Sequence, residues 1–379
     1  MTVSLASVVR SACVTSYTNS GRPDRHPGPR RRRIVPMTTT SHPLVGRARQ
    51  IADDLLAPHA ERVDQEGVPE EHIQEIRRSG LLGVGAPKAY GGAGAPAAVG
   101  RETAEILAGA CCSTWFVQTQ HHTPVATLAK SGTAVRERLL GPLARGELLS
   151  GVAYAHLRGY PRTPVRVTRE RSGWRFDGTV PWYTGWGLND VMLLAGVTDA
   201  DEALFAFTEA REQPGLRASA PMRLVALTAA RTVSLELDGL WLPEESVVLR
   251  RPYGEWAATD RLKTLNASPA AFGVTETALG LLDDDTAAPL RSRLEEIRGR
   301  AYALADHSVP HEHEEERLAL RTQSFELLRA ATTAAVVTGG GRTMALSSKA
   351  QRLAREALFL LVQGQTAESR RAHLNALIV

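Results

Sequence analysis

Three textures follow one another along this chain, and their order is its tightest structural constraint. From Pro43, apolar residues recur at helical spacing: Val45, Ala48, Ile51, Leu55 and Leu56, then Ile73, Ile76 and Leu81. Further helices are expected over 99–110, 113–131 and 134–143. Across 148–249 the pattern breaks into short β-type runs with turns between them, at 152–154, 165–169, 174–176, 180–183, 191–195, 204–207 and 233–237. After Tyr253 helical spacing returns, with helices expected over 258–282, 286–307, 313–337, 346–362 and 366–377. Long helices joined by short loops suggest an antiparallel bundle. The expected class is a multidomain α and β protein: an N-terminal helical domain over 37–147, a central β-barrel over 148–250 and a C-terminal helical bundle over 251–379.

Inside the β region, Gly173 to Gly187 is the most informative stretch. Asp177-Gly178 between two aromatic or β-branched runs is a hairpin signal. The second run ends in Trp182, Tyr183 and Thr184, followed by Gly185. A strand end carrying an indole, a hydroxyl and an open backbone offers a surface for a planar heterocycle.

The net charge of +4 misleads, because residues 1–36 hold Arg10, Arg22, Arg25 and Arg30 to Arg33 against a single acid, Asp24. The remaining body is near neutral, so nucleic acid is not an implied partner. That leader reads as disordered sequence ahead of Met37, with an Arg-rich transit segment as the alternative. Three cysteines without a C-x-x-C spacing, two of them the adjacent Cys111 and Cys112, suit a reduced, cytoplasmic protein. No apolar run approaches the roughly 18 residues of a membrane span.

Several segments, in order, resemble the acyl-CoA dehydrogenase superfamily. They are 52–64; Leu81-Leu-Gly83 with Pro87 and Tyr90-Gly-Gly92; Gly141-Pro-Leu-Ala-Arg-Gly-Glu-Leu148; Phe176-Asp-Gly-Thr-Val-Pro-Trp-Tyr-Thr-Gly185; Leu237-Asp-Gly-Leu-Trp-Leu-Pro243; and Arg352-Leu-Ala-Arg-Glu-Ala357. The resemblance covers about residues 45–378. It implies an FAD between the β domain and the bundle, with FMN left open, and a homo-oligomer, dimer or tetramer. It implies a small-molecule or acyl-thioester substrate, and a flavin reductase or electron-transfer partner. By resemblance, Trp182 and Thr184 contact the flavin ring, Ala155 and His156 approach its pyrimidine side, and Gly340 and Gly341 of the run Gly339-Gly-Gly341 admit the ADP part.

The chain also departs from the family. Its usual Thr-Glu-Pro pattern is replaced by His156-Leu-Arg-Gly-Tyr-Pro161, and Arg-x-x-Phe-Gly is absent from the bundle. Family dehydrogenases remove an α-proton with a glutamate within hydrogen-bond reach. Here Gln363-Gly-Gln-Thr366 puts Gly364 at that position. Some members carry the base just before an arginine on the first bundle helix, which is Asp260 before Arg261; a helix-capping role is the competing reading. The superfamily's monooxygenases lack the glutamate and often carry a histidine facing the ring; His121 and His122 are candidates. The expected function is flavin-dependent oxidoreduction without the usual glutamate. The alternatives are a dehydrogenase using Asp260 and an inactive binding scaffold. No metal is expected: His311-Glu-His313 lacks the H-E-x-x-H spacing, and Gly92-Ala-Gly94 lacks the strand a dinucleotide fingerprint needs.

Overall fold

The computed structural model describes residues 42–162, 165–306 and 309–378. The leader 1–36, and the expectation of disorder there, lie outside them. Thr39–Val379 is one compact unit. Among the described residues no helix is long and apolar enough to cross a membrane.

Helix α1 (Pro43–Ile51) starts at His42, whose Nδ1 accepts the Leu44 N–H, with Pro43 supplying a preset first turn. A single π turn, Ala52–Leu56, leads into α2 (Ala57–Glu66) just ahead of Pro58, which has no N–H to bond backward. Helix α3 (Glu70–Arg78) places acids in its first turn and arginines in its last, matching the helix dipole. Helices α4 (Ala97–Ala110), α5 (Cys112–Thr119), α6 (His122–Lys130) and α7 (Ala134–Ala144) complete the N-terminal layer. The single helix expected over 113–131 is two, parting at Gln120-His121, because Pro124 cannot donate to the Gln120 carbonyl.

The strands are β1 (Ser150–Ala153), β2 (Val165–Glu170), β3 (Gly173–Tyr183), β4 (Val191–Thr198), β5 (Glu202–Glu209), β6 (Leu216–Ala218), β7 (Val233–Pro243) and β8 (Val247–Pro252). They follow the path β6–β7–β3–β2–β4–β5–β8, with β1 parallel to β4. Among the described residues the expected barrel strands form one eight-stranded sheet whose path runs from β6 to β8. The expected hairpin turn at Asp177-Gly178 is corrected: β3 runs straight through it, and the turn lies at Arg171-Ser172. Asp177-Gly178 is instead a register shift against β7. Gly178 sits there at φ 128°, and the Asp177 carboxylate accepts the Gly239 N–H at 2.8 Å.

The apolar run of β4 is buried on both faces, as its unbroken hydrophobicity requires. Met192 and Leu194 join the sheet's own core with Phe176 and Leu235. Leu193 and Ala195 face Leu128, Leu140 and Trp256, the core shared with the N-terminal helices.

The C-terminal layer is α8 (Tyr253–Thr264), α9 (Pro269–Leu279), α10 (Asp284–Ala305), α11 (Glu314–Gly339), α12 (Lys349–Val362) and α13 (Ala367–Leu377). The one helix expected over 258–282 is again two, because Pro269 opens a new first turn. Helix α9 lies directly against α4. A Cβ on Gly273 would fall 2.0 Å from the Glu105 carbonyl, and one on Gly109 would fall 2.7 Å from the Gly273 carbonyl. Only glycine permits that approach. It ties the bundle to the N-terminal helices in one core containing Leu56, Trp115, Phe272 and Leu328.

Candidate active site

Strand β3 brings Trp182 out of the sheet while burying its neighbours. Trp182 is 54% exposed, whereas Tyr183 is buried and Thr184 is 8% exposed. Alternation along the strand explains Trp182 and Tyr183. After Tyr183 the chain leaves the strand, and Gly185 at φ 83° makes the turn. Asn189 holds this corner, donating to the Tyr183 hydroxyl and the Thr184 carbonyl at 2.9 Å each. The Thr184 hydroxyl meets that of Thr232 at 3.1 Å. An indole with an open face and a fixed hydroxyl therefore occur together, as the sequence suggested.

The loop after β1 does something the sequence did not disclose. The residues 155–159 form a 3₁₀ turn in which Ala155 is exposed and His156 turns inward. One ring nitrogen of His156, Nε2, bonds the Ala195 carbonyl at 3.0 Å, and burial lowers its pKa to about 4. The turn projects Arg158 toward the bundle. Its Nε and Nη2 donate to both carboxylate oxygens of Asp260, at 2.7 and 3.1 Å. Burial opposes the Arg158 charge, and the Asp260 carboxylate more than compensates, raising its pKa above the ordinary value. Asp260 lies eighth in α8, well past the helix start, so the capping reading fails.

Gly364, in the α12–α13 connection, sits beside the same guanidinium. A Cβ built there would meet nothing nearer than Arg158 Nη1 at 4.0 Å. The two positions that the resemblance singled out for a base thus converge on Arg158: one is a glycine, and the other is a carboxylate with both oxygens committed. Tyr154, at the end of β1, belongs to this neighbourhood. Burial, then the Asp260 charge, raises its phenol pKa, and the Thr123 side chain in the first turn of α6 opposes that rise.

The two candidate histidines of that turn behave differently. His121 is fully buried, with Nε2–H donating to the Leu143 carbonyl at 3.2 Å and Nδ1 accepting the Ser150 N–H at 3.1 Å. Burial, then the neighbouring His122, lowers its pKa to about 3. Both nitrogens are thus occupied in joining the start of α6 to α7 and to β1. His122 is the first residue of α6 and only half-buried, yet burial lowers its pKa to about 4.

Gly340 and Gly341 do not start a helix. They follow the end of α11 and open a 3₁₀ turn, Gly340–Met344, with Gly340 at φ 62°. A Cβ on either would meet open space.

Arg158 and Arg321 are the residues that sequence reasoning missed. Arg158 stands where the family pattern is broken, and that break was the available signal. Its pairing with a residue 102 positions away was not.

Residues 38–147 match the family described as acyl-CoA dehydrogenase, N-terminal domain. The chain is 23% identical over 279 residues to the short-chain specific acyl-CoA dehydrogenase of Clostridium acetobutylicum, covering 69% of this chain and 72% of that one. It is 23% identical to the acryloyl-CoA reductase (NADH) of Anaerotignum propionicum, over 62% of each chain. Among solved structures, butyryl-CoA dehydrogenase from Megasphaera elsdenii superposes with a TM-score of 0.76 at 18% identity, over 89% of this chain and 97% of that one. Residues 38–147 thus match the acyl-CoA dehydrogenase N-terminal domain, and the described chain shares its fold and element order with a solved acyl-CoA dehydrogenase.

Proposed function

We propose that the protein is a flavin-dependent oxidoreductase acting on an acyl thioester, in which no carboxylate at the family's two base positions takes a substrate proton. The convergence of Gly364 and Asp260 on Arg158 carries this reading. Gly364 has no proton acceptor. Asp260 must first give up a bidentate pair, the strongest geometry a carboxylate and guanidinium adopt.

The residues fit FAD. Trp182 exposes one indole face beside the fixed hydroxyl of Thr184, and a flat ring stacks on such a surface. Gly340 and Gly341 leave backbone approachable where a side chain would stand. These residues would hold the ring and the diphosphate end, respectively. When bound, FAD supplies the electron-accepting and electron-donating centre of the reaction. The chain's own contribution is positional: Trp182 and Thr184 orient the ring, Arg158 and Tyr154 fix polar groups near the substrate, and His122 is the titratable side chain left with solvent contact for proton transfer.

The test is spectroscopic. The purified protein should be yellow, with a flavin spectrum. Anaerobic butyryl-CoA should bleach it slowly or not at all, and chemically reduced enzyme with bound substrate should consume oxygen. Rapid anaerobic bleaching that Asp260→Asn abolishes would establish the dehydrogenase alternative. Colourless protein that binds no added FAD would leave only the scaffold.

A further inference from the structure

Helix α11 carries two arginines into the interior without carboxylate partners. Arg317 is 3% and Arg321 5% exposed, and among the described residues neither forms an ion pair. Arg321 donates Nη1 to the Asn266 carbonyl at 3.1 Å and Nη2 to the Gln363 carbonyl at 3.4 Å, but its Nε has no partner. Arg317 donates to the Asn266 side chain at 2.7 Å and leaves Nη2 unpartnered. His373 on α13, whose basicity is lowered by burial and then by the Arg321 charge, has partners on neither ring nitrogen.

Buried charge is costly unless it is paired. Burial, then the Arg158 charge, pushes the Arg321 pKa down to about 10, so Arg321 remains a cation at neutral pH. Arg158 adds a second cation whose Nη1 is uncommitted to Asp260. The two guanidiniums address consecutive residues of one half-buried loop: Arg321 at Gln363 and Arg158 at Gly364. Within 4 Å of a Cβ built on Gly364 the one atom met is Arg158 Nη1.

We propose that these guanidinium groups receive an anion from the substrate: the free carboxylate of a dicarboxylate-derived acyl thioester, paired with Arg158 and Arg321. This deepens the acyl-thioester reading and rests on it.

Calorimetric titration with matched CoA esters tests the proposal. Malonyl- against propionyl-CoA, succinyl- against butyryl-CoA, and glutaryl- against valeryl-CoA differ within each pair only in a terminal carboxylate or methyl. At least one carboxylate ester should bind about tenfold tighter than its methyl counterpart. Arg321→Gln should erase that ratio. So should Gly364→Glu, which builds a competing carboxylate beside Arg158 and leaves both arginines in place. Equal affinity within every pair, or a preference that survives in both variants once folded, overturns the anion site while leaving acyl-thioester binding intact. Failure of all six esters to bind overturns the acyl-thioester reading itself.

Discussion

Arg158 clasps Asp260 through two parallel hydrogen bonds, joining the loop after the first β-strand to the first helix of the bundle across 102 residues. The side chains are 26% and 12% exposed, so solvent screens the pair only partly. Asp260→Asn should destabilise the fold by about 2 kcal/mol, because it leaves a largely buried guanidinium without its anion. Urea unfolding of both proteins measures this. An unchanged midpoint would show that the pair contributes nothing to stability.

Trp182 makes the opposite prediction. An indole 54% exposed contributes little to the fold. Trp182→Ala should alter stability by no more than about 0.5 kcal/mol. The flavin-to-protein absorbance ratio after gel filtration should fall about threefold or more, through the lost ring contact. A variant retaining full flavin would remove Trp182 from the cofactor seat.

His121 predicts how stability varies with pH. Its folded pKa of about 3 lies below the unfolded value of 6.5. Between those values the unfolded chain binds more protons, so stability rises with pH there and falls as the solution is acidified. From pH 7 to pH 5 this residue alone should remove about 2 kcal/mol. His121→Gln should give a shallower dependence of the thermal midpoint over that interval. His156, also lowered by burial to about 4, adds a slope of the same sign that remains in the variant.

Arg352 and Glu356, on α12, form a 2.6 Å pair in which the side chains are 1% and 2% exposed. Glu356→Gln should cost about 3 kcal/mol, because it leaves the buried guanidinium only the longer contact to Glu61 at 3.3 Å. The double replacement of both residues by Met should recover most of that loss, because apolar side chains of similar size need no counter-charge. Chemical denaturation of the two variants side by side distinguishes a stranded charge from lost packing.

Much of the fold was legible in the residues, for a local reason. Helical and strand periods are set by neighbours within a few positions, so α10, α12 and α13 appear where spacing put them, and β4 is buried on both faces as its apolar run required. The errors were local too. Pro124 and Pro269 each divided a helix that periodicity alone made continuous. Asp177-Gly178 supplies the residue types of a tight turn and of a bulge equally well, and pairing with β7 selected the bulge.

What the sequence by itself determined is the order of layers, the aromatic strand end at Trp182 and a residue without a carboxylate at Gly364. Tertiary structure alone decided what surrounds that glycine. It placed Arg158 on Asp260, buried Arg321 without an anion and turned His121 into the core. The physical reason is that ion pairing and burial depend on distances between residues far apart in the chain, and no local pattern encodes which charge will meet which.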